Sequence, residues 1–482
     1  MRSVAAPASG WTGGRKAAAF RLEGLQNKAL HPAGGQGRER TWWTMNMQNP
    51  LQKLAEASAA LEGSGARGLL TRLFDEGTFV ELDRLARDGD KPAEAAAGYG
   101  MVEGSPVYAF AQDHAICSGA IGRAQAAKIA HIYALAAQNG APIVGIFDSD
   151  GAKLGEGIDA MDAIADILLA SNNLSGVVPQ IAVITGACVG SSALIAANAD
   201  LVIGVKGAAY RLNVGDKDAA PAVSVSSAEE AVEKARELLE LLPANNLAGA
   251  ALHEWQSAAM PACQDAFSAL DAVADEDSAV KLYEGSDCTA LALARVGGTP
   301  CGLVALSGEI CCSGASNAAR FVRLCDAFSL PVITFVDAAG FQTLKGAAKL
   351  SHAYAEATTA KCTVVTGKAY GPVYIAVAGK SAGADVVLAW PDAVISPLAP
   401  ETAVHILWKD RLAAMTDPIV QRAALAEEYA ATAASPLEAA AGGFVTDVVV
   451  PAETKAKIVA LLDMLSGKRV SRLPKKHSNI LL

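Results

Sequence analysis

From residue 142 onward, short apolar runs alternate with stretches whose apolar residues recur at helical spacing. Pro142-Ile-Val-Gly-Ile-Phe147 is followed by a helical pattern from about Ile158 to Ala170, then by Ile181-Ala-Val-Ile184, a small-residue helix over Ala193–Asn198, and Leu201-Val-Ile203. The same order returns later as Pro331-Val-Ile-Thr-Phe-Val336, a helix around Ala347–Thr358, Thr363-Val-Val365 and Asp385-Val-Val-Leu388. Continuous apolar strands separated by helices predict a layered α/β fold with strands buried on both faces.

The two runs also match residue by residue. Ala182-Val-Ile-Thr-Gly-Ala-Cys-Val-Gly190 aligns with Thr363-Val-Val-Thr-Gly-Lys-Ala-Tyr-Gly371, Asp148 with Asp337, and Ala199-Asp-Leu-Val-Ile203 with Ala384-Asp-Val-Val-Leu388. A repeat of about 180 residues is too long for a solenoid unit and predicts a duplicated domain. The expected connection is the polar, helical stretch between Ser224 and Asp277. It holds an amphipathic helix at Glu229–Leu242, stopped by Pro243-Ala-Asn-Asn246.

Composition narrows the class. The chain has 482 residues, of which 52% are apolar and 19% charged, so it is not a disordered chain. At roughly 100–200 residues per domain, two to four domains are expected. No apolar stretch reaches the roughly 18 residues of a membrane-spanning helix. A net charge of −10 repels phosphate backbones and argues against nucleic acid as a partner. Nine cysteines form no CxxC pair and no zinc spacing, and adjacent Cys311-Cys312 suit neither a common disulfide nor a zinc knuckle. Reduced, mostly buried thiols in a cytoplasmic protein are expected, with Cys311 and Cys312 in the core and no metal site.

Residues 1–46 differ from the rest. They carry seven basic and two acidic residues, many Gly and Ala, and no apolar segment of a secretory signal. A transit peptide and upstream sequence read from a wrongly chosen start codon both remain open. The segment is expected to be disordered. The fold is then expected in residues 47–270 and 271–482.

Candidate chemistry centres on the repeated turns Thr185-Gly-Ala-Cys-Val-Gly-Ser-Ser192 and Thr366-Gly-Lys-Ala-Tyr-Gly-Pro-Val373. In each, a strand enters a Gly-containing turn and then a small-residue helix. A helix start presents free backbone N–H groups and the positive end of the dipole, and small side chains let a carbonyl approach. Such a site can stabilise an enolate or other oxyanion. The same small residues would also serve tight helix–strand packing, so both readings stand at this point. Other motifs fail. Gly379-Lys-Ser381 lacks the upstream glycine of a P-loop, and Gly98-Tyr-Gly-Met-Val-Glu-Gly104 precedes a strand instead of the helix a dinucleotide fingerprint needs. There is no GxSxG elbow and no HExxH. His114 beside Asp113 is a candidate base or a structural histidine. Glu156 and Asp159 are expected to cap a helix start.

At this level of detail, residues from about Leu51 to Leu482 resemble the carboxyltransferase subunits of biotin-dependent acyl-CoA carboxylases and decarboxylases. The resemblance is carried by Leu69-Leu-Thr-Arg-Leu-Phe-Asp-Glu-Gly-Thr-Phe-Val-Glu-Leu-Asp83, Ser105-Pro-Val-Tyr-Ala-Phe-Ala-Gln-Asp113 and Asp148-Ser-Asp-Gly-Ala-Lys-Leu-Gly-Glu-Gly157. Ala318-Ala-Arg-Phe-Val-Arg-Leu-Cys-Asp-Ala-Phe328, Tyr354-Ala-Glu-Ala-Thr358 and Leu473-Pro-Lys-Lys-His-Ser-Asn-Ile-Leu481 extend it to the end of the chain. It implies two tandem crotonase-like (ClpP/crotonase) ββα-superhelix domains. It also implies a homo-oligomer, a hexamer built as a trimer of dimers, with active sites between the N-terminal domain of one subunit and the C-terminal domain of another. The implied reaction moves a carboxyl group between biotin and the α-carbon of an acyl-CoA.

Carried over by position, the thioester oxyanion hole falls at Gly190 and Ser191 and the biotin hole at Gly371, Pro372 and Val373. Ser118-Gly119-Ala120 matches a loop beside the coenzyme A site, and Lys153 replaces a family arginine. The chain departs from the family pattern in both turns. Pro372 has no N–H to donate, Ile375 replaces an Asp, and a Glu-Leu-Gly-Gly segment is missing between Val214 and Ser227. Neither a Met-Lys-Met biotinylation signature nor an ATP-grasp domain is recognised. Biotin is therefore expected on a separate biotin carboxyl carrier protein, with a biotin carboxylase or membrane decarboxylase subunit as further partner. The departures leave open a non-catalytic paralogue that assembles with an active homologue, or a biotin-independent crotonase-type enzyme.

Overall fold

The computed structural model describes residues 50–476 and 479, apart from residues 60, 62, 90, 258, 415 and 416. The expectation of disorder over residues 1–46 lies outside the described residues. A helix over Pro50–Ala59 opens the described chain with no buried residue. Residues 57–482 form one compact unit.

That unit contains the same sheet twice. In the first half, β1 (Val80–Glu81), β4 (Ala95–Val102), β5 (Ser105–Gln112), β6 (Ile143–Ser149), β7 (Gln180–Val189), β8 (Leu201–Val205) and β10 (Val223–Val225) lie side by side in that order. β9 (Ala209–Arg211) pairs with the end of β7, and a separate hairpin joins β2 (Arg87–Asp88) to β3 (Lys91–Pro92). The second half repeats the order with β11 (Val280–Leu282), β12 (Thr289–Val296), β13 (Thr299–Ile310), β14 (Val332–Phe341), β15 (Lys361–Tyr370), β16 (Val386–Ala389) and β18 (Asp447–Val448), and β17 (Val394–Ser396) pairs with the end of β15. Each sheet begins antiparallel and becomes parallel from its third strand. The apolar runs read from the sequence are these central parallel strands, buried on both faces by helices.

Glycines that look like a nucleotide fingerprint serve packing. A Cβ on Gly98 would lie 2.2 Å from the Val80 carbonyl oxygen, and one on Gly100 would lie 2.5 Å from the Phe74 ring. Side chains there would push β1 and the helix Gly65–Leu73 off the sheet. The helix Ala228–Leu241 starts at Ser227, whose hydroxyl accepts from the Glu230 N–H, and buries Ala231, Val232, Ala235, Leu238 and Leu241. Its apolar face joins a core cluster that also contains Ile181 and Val183 of the first sheet and Leu291, Val304 and Phe321 of the second half. Arg320 in the second half donates to the Ala199 carbonyl in the first at 2.5 Å. The halves are therefore joined by a shared core as well as by a connecting helix.

Candidate active site

The same local device recurs at matching positions in the two halves. In the first, the ladder between β6 and β7 shifts between Phe147 and Ser149, leaving Asp148 unpaired. In the second, β14 and β15 shift between Val336 and Ala338, leaving Asp337 without a partner on β15. Bulges of this kind re-aim a side chain. Asp148 Oδ1 accepts the Ala187 N–H at 2.9 Å, and Asp337 Oδ1 accepts the Lys368 N–H at 2.8 Å. Only glycine fits the facing position: a Cβ on Gly186 or on Gly367 would lie 2.3 Å from that carboxylate oxygen. The bend carries each strand to a glycine with positive φ, Gly190 (+63°) and Gly371 (+39°). The Gly190 N–H donates to the Arg211 carbonyl at 3.0 Å, and the Gly371 N–H to the Ser396 carbonyl at 2.9 Å. In both turns the glycine carbonyl accepts from the residue four places on, Leu194 and Ile375, at 3.1 Å.

These bonds shift the assignment within each turn. The amides of Gly190 and Gly371 are already engaged, so the two glycines supply shape. At the first site the helix Ser191–Asn198 begins next, and its opening amides at Ser191 and Ser192 have no intrahelical acceptor. Space beside Gly190 itself is open, since a Cβ there would come no nearer than 3.8 Å to the Leu212 oxygen. The Ser191 hydroxyl is buried with no hydrogen-bond partner. A buried donor of this kind calls for an acceptor from a ligand.

The Ser118–Ala120 loop does come to this place. Cys117, Ser118 and Gly119 all have positive φ. The turn is pinned to the end of β6, with the Asp150 N–H donating to the Ser118 oxygen and the Ile121 N–H to the Gly151 oxygen. A Cβ on Gly119 would lie 2.2 Å from the Asp148 oxygen. A Cβ on Gly151 would lie 2.9 Å from the Val189 oxygen and 3.7 Å from the Ser191 nitrogen. The loop 117–120, the 149–151 segment and the helix start at Ser191 therefore stack in sequence.

A buried polar relay, missed from sequence, fixes the two lips of this cradle. Ser192 Oγ donates to Gln112 Oε1 at 3.1 Å, Gln112 Nε2 to Gln125 Oε1 at 3.0 Å, and Gln125 Nε2 to the Gly119 oxygen at 3.1 Å. All three side chains are buried. The one available sign was a glutamine at the end of an apolar strand and another inside an Ala-rich helix.

Lys153, carried over by position to the coenzyme A site, is held in ion pairs within the protein. Its ammonium is paired with Asp88, with Glu94 Oε1 at 2.6 Å and with Glu156 Oε1 at 3.7 Å. Three carboxylates around one cation repel a phosphate, so Lys153 presents no free charge to coenzyme A. Burial pushes the Glu94 carboxyl up. Glu156 also caps a helix other than its own: Oε2 accepts the Arg123 N–H at 2.8 Å, at the start of the helix Arg123–Asn139. His114 is a surface residue 3.7 Å from Asp150.

The second cradle differs in detail. After Gly371 the chain forms a five-residue π-helical turn, Tyr374–Ala378, in place of the expected α-helix. Pro372 is exposed, and the Val373 side chain is fully buried, so only the backbone of Val373 can serve a ligand. Beside Gly371 lies a recess of about 430 Å³ lined by Tyr374, Ile375, Ile395, Pro397 and Phe444 among others. Its lining is mostly apolar. Ile375, 72% exposed, stands at its rim.

Two Gly-turn cradles therefore recur at matching places on a duplicated α/β frame. The chain belongs to the carboxyl transferase domain family, whose model matches residues 66–223 and 220–480. It is 32% identical to the methylmalonyl-CoA decarboxylase subunit alpha of Propionigenium modestum, over 96% of this chain and 99% of that one. It is also 32% identical to the propionyl-CoA carboxylase carboxyltransferase subunit of Haloferax mediterranei, over 90% of this chain and the full length of that one. Among solved structures, the transcarboxylase 12S hexamer with methylmalonyl-CoA bound superposes with a TM-score of 0.83 at 30% identity, covering 90% of this chain and 98% of that one. The two repeated units are crotonase-like domains in tandem. Among the described residues, no helix is long and apolar enough to cross a membrane.

Proposed function

We propose that this protein is the carboxyltransferase subunit of a biotin-dependent acyl-CoA carboxylase or decarboxylase, taking the acyl-CoA in the first half and carrier-borne biotin in the second. The observation that carries this reading is the duplicated turn, with the same carboxylate–amide bond, facing glycine and positive-φ glycine in each half. Removing an α-proton or an α-carboxylate from a thioester leaves an enolate, whose oxygen needs donors already aimed at it. The Ser191 and Ser192 amides, with the buried Ser191 hydroxyl, provide them. The Gln112–Gln125 relay holds the opposing loop at a fixed distance, so the donors need not reorganise as charge develops. Biotin, when bound, supplies the nitrogen that gives or accepts the carboxyl group. The recess beside Gly371 and Tyr374 would hold its ring system, with no N–H offered by Pro372.

Exposed apolar side chains in both halves favour a homo-oligomer, in which the first half of one copy meets the second half of another. Leu154 is 90% exposed, Val214 94% and Leu344 87%. We assign the hexameric arrangement, a separate biotin carrier and a carboxylase or decarboxylase partner on the same reading. The test is carboxyl transfer from malonyl-, methylmalonyl- or glutaconyl-CoA to free biotin carrier, or from carboxylated carrier back to the corresponding decarboxylated thioester, using purified protein. Exchange with one of them supports the reading. Absence of exchange with all three, from folded protein and a competent carrier, overturns it, as does equal turnover without carrier. Pro372 and Ile375 at the second cradle favour one other reading, a non-catalytic copy that assembles with an active homologue. Co-purification with a second carboxyltransferase chain at fixed stoichiometry would establish that reading, and a self-sufficient active homo-oligomer would dismiss it.

A further inference from the structure

A cavity of about 630 Å³, lined by no residue of either cradle turn, lies at the seam of the two halves. Pro221 and Ser224 of the first half and Ser286, Cys288, Cys311 and Gln342 of the second are among its lining residues. The sequence led us to expect Cys311 and Cys312 in the core, but both are only partly buried. Cys311 is instead the N-cap of the sixteen-residue helix Cys312–Ala327, with its sulfur accepting the Gly314 N–H at 3.2 Å. Cys288 lies directly behind it, with its Sγ 3.1 Å from Cys311 Sγ. The Cys311 N–H also donates to Cys288 Sγ at 3.2 Å. All nine cysteines are free thiols.

We propose that Cys288 and Cys311 form a reversible intrachain disulfide, with Cys311 as the thiol that a small neutral hydroperoxide oxidises and Cys288 as the thiol that resolves it. The two sulfurs are unlike in the way this division of labour needs. Both line the cavity, but Cys311 is partly exposed while Cys288 is buried at 7% exposure. Hydrogen bonds to the sulfur from Ser313, from Cys288 and from the Gly314 amide lower the Cys311 thiol to about 7, whereas burial pushes Cys288 up. A thiolate is the reactive form, and a protonated neighbour is ready to give up its proton at the second step. The cavity wall selects the oxidant by charge. Glu284, Asp287 and Glu309 line it, and no Lys or Arg does. Such a wall disfavours anionic oxidants.

The chemistry balances in two steps. The Cys311 thiolate attacks one peroxide oxygen and the O–O bond breaks. The leaving oxygen takes a proton and departs as water (or as an alcohol from an alkyl peroxide), and Cys311 becomes a sulfenic acid. The Cys288 sulfur then attacks the Cys311 sulfur and the S–O bond breaks. The Cys288 proton leaves with the hydroxyl as water, and the disulfide remains. Two thiols lose two electrons in total, and one hydroperoxide gains them. A bond length of about 2.05 Å requires the sulfurs to close by about 1 Å, drawing Cys311 from its capping bond to Gly314.

The experiment uses the full chain, first reduced and then exposed to equimolar hydrogen peroxide, with thiols blocked and peptides mapped by mass spectrometry. The expected product is a peptide pair joined through Cys288 and Cys311, lighter by two hydrogen atoms and separated again by dithiothreitol. In Cys288→Ser the reaction should stop at a Cys311 sulfenic acid that dimedone traps. In Cys311→Ser, Cys288 should stay reduced, and Cys312→Ser should behave as wild type. Equal blocking of Cys288 and Cys311 before and after peroxide overturns the proposal, as does a cross-link to Cys312. Should a serine variant fail to fold, the wild type alone decides. At pH 7, Cys311 should alkylate about three to six times faster than an ordinary exposed thiol, after allowing for the lower nucleophilicity of a more acidic sulfur. An ordinary rate together with no Cys288–Cys311 cross-link is the contrary result.

Discussion

Replacing Gly190 with alanine separates what the first cradle does from what holds it together. Gly190 has φ +63° and ψ −123°, a region closed to residues with a side chain. The strain of holding a non-glycine residue there is about 1–3 kcal/mol. No clash adds to it, because the new methyl would find open space, with the Leu212 oxygen 3.8 Å away as its nearest neighbour. The chain can bear this cost as lost stability, or relieve it by rotating the 190–191 peptide. Rotation turns the Ser191 N–H away from the cradle, and losing one such donor costs about 100- to 1,000-fold in kcat. Gly104→Ala is the control. It sits in the β4–β5 turn at φ +72° with nothing within 4 Å of its Cβ position, far from either cradle in the chain. Denaturant unfolding and carboxyl exchange would be measured on both variants. We expect similar, small stability losses in the two and a collapse of exchange in Gly190→Ala alone. Full activity in Gly190→Ala at reduced stability would mean that the turn serves packing only. Loss of assembly would leave the cradle without support.

The remaining expectations follow from the same geometry. Gln125→Leu breaks the two buried hydrogen bonds of the relay and a longer one to the Ala120 oxygen at 3.4 Å, and should cost about 3 kcal/mol; Gln112→Leu/Gln125→Leu together should cost less than the two singles summed, because no half-satisfied glutamine amide is left. Additive losses in denaturant unfolding would refute the relay. Lys153→Met leaves the buried Glu94 unpaired and should destabilise by about 3 kcal/mol with little change in the KM for acyl-CoA; a large KM change at constant stability would restore Lys153 as a coenzyme A contact. Pro372→Ala supplies a backbone N–H at the second cradle and should raise exchange by about tenfold, and an unchanged rate would show that no donor is needed there. Burial raises the Cys188 and Cys362 thiols to about 12 and pushes Cys301 and Cys325 up as well. Folded thiols then keep protons that unfolded ones release, so this stability is present below about pH 9 and is lost as pH rises above it. Lys128 and Lys361, lowered to about 8 by burial, offset part of the loss. Equilibrium unfolding under reducing conditions should weaken by about 3 kcal/mol per pH unit between about pH 9 and pH 10.5, and a flat profile would contradict those burials.

Much of the frame was legible because parallel strands covered on both faces are continuous apolar runs, and because a duplicated frame repeats its glycines and aspartates in register. Asp148 and Asp337 were matched on sequence, but not as bulge residues, since a bulge leaves no periodic trace. The proposed amide donors lie one residue beyond Gly190 and two beyond Gly371, because Pro372 has no N–H. The glycine N–H groups are taken by Arg211 in β9 and Ser396 in β17, and three-residue strands are too short to show an alternation. The Ser192–Gln112–Gln125 relay joins residues 80 positions apart, a distance across which a single sequence carries no pairing signal. The second turn was read as a copy of the first, but proline after Gly371 and the burial of Val373 go with a π-helical turn in place of an α-helix. Motifs that carried the family resemblance are largely scaffold. Asp326 accepts three bonds from Thr358 and Thr359, and the Tyr354 hydroxyl is 2.7 Å from Thr334 Oγ1 in the core.

The central claim is that the helix start after Gly190 polarises a thioester oxygen. Isotope-edited infrared spectroscopy of a carbonyl-labelled acyl-CoA bound to the protein reads this directly. The account requires the bound carbonyl stretch to move to lower frequency than in water, and the shift to vanish in Gly190→Ala while the ligand remains bound. A carbonyl band that is the same in water, in the wild type and in the variant would contradict it.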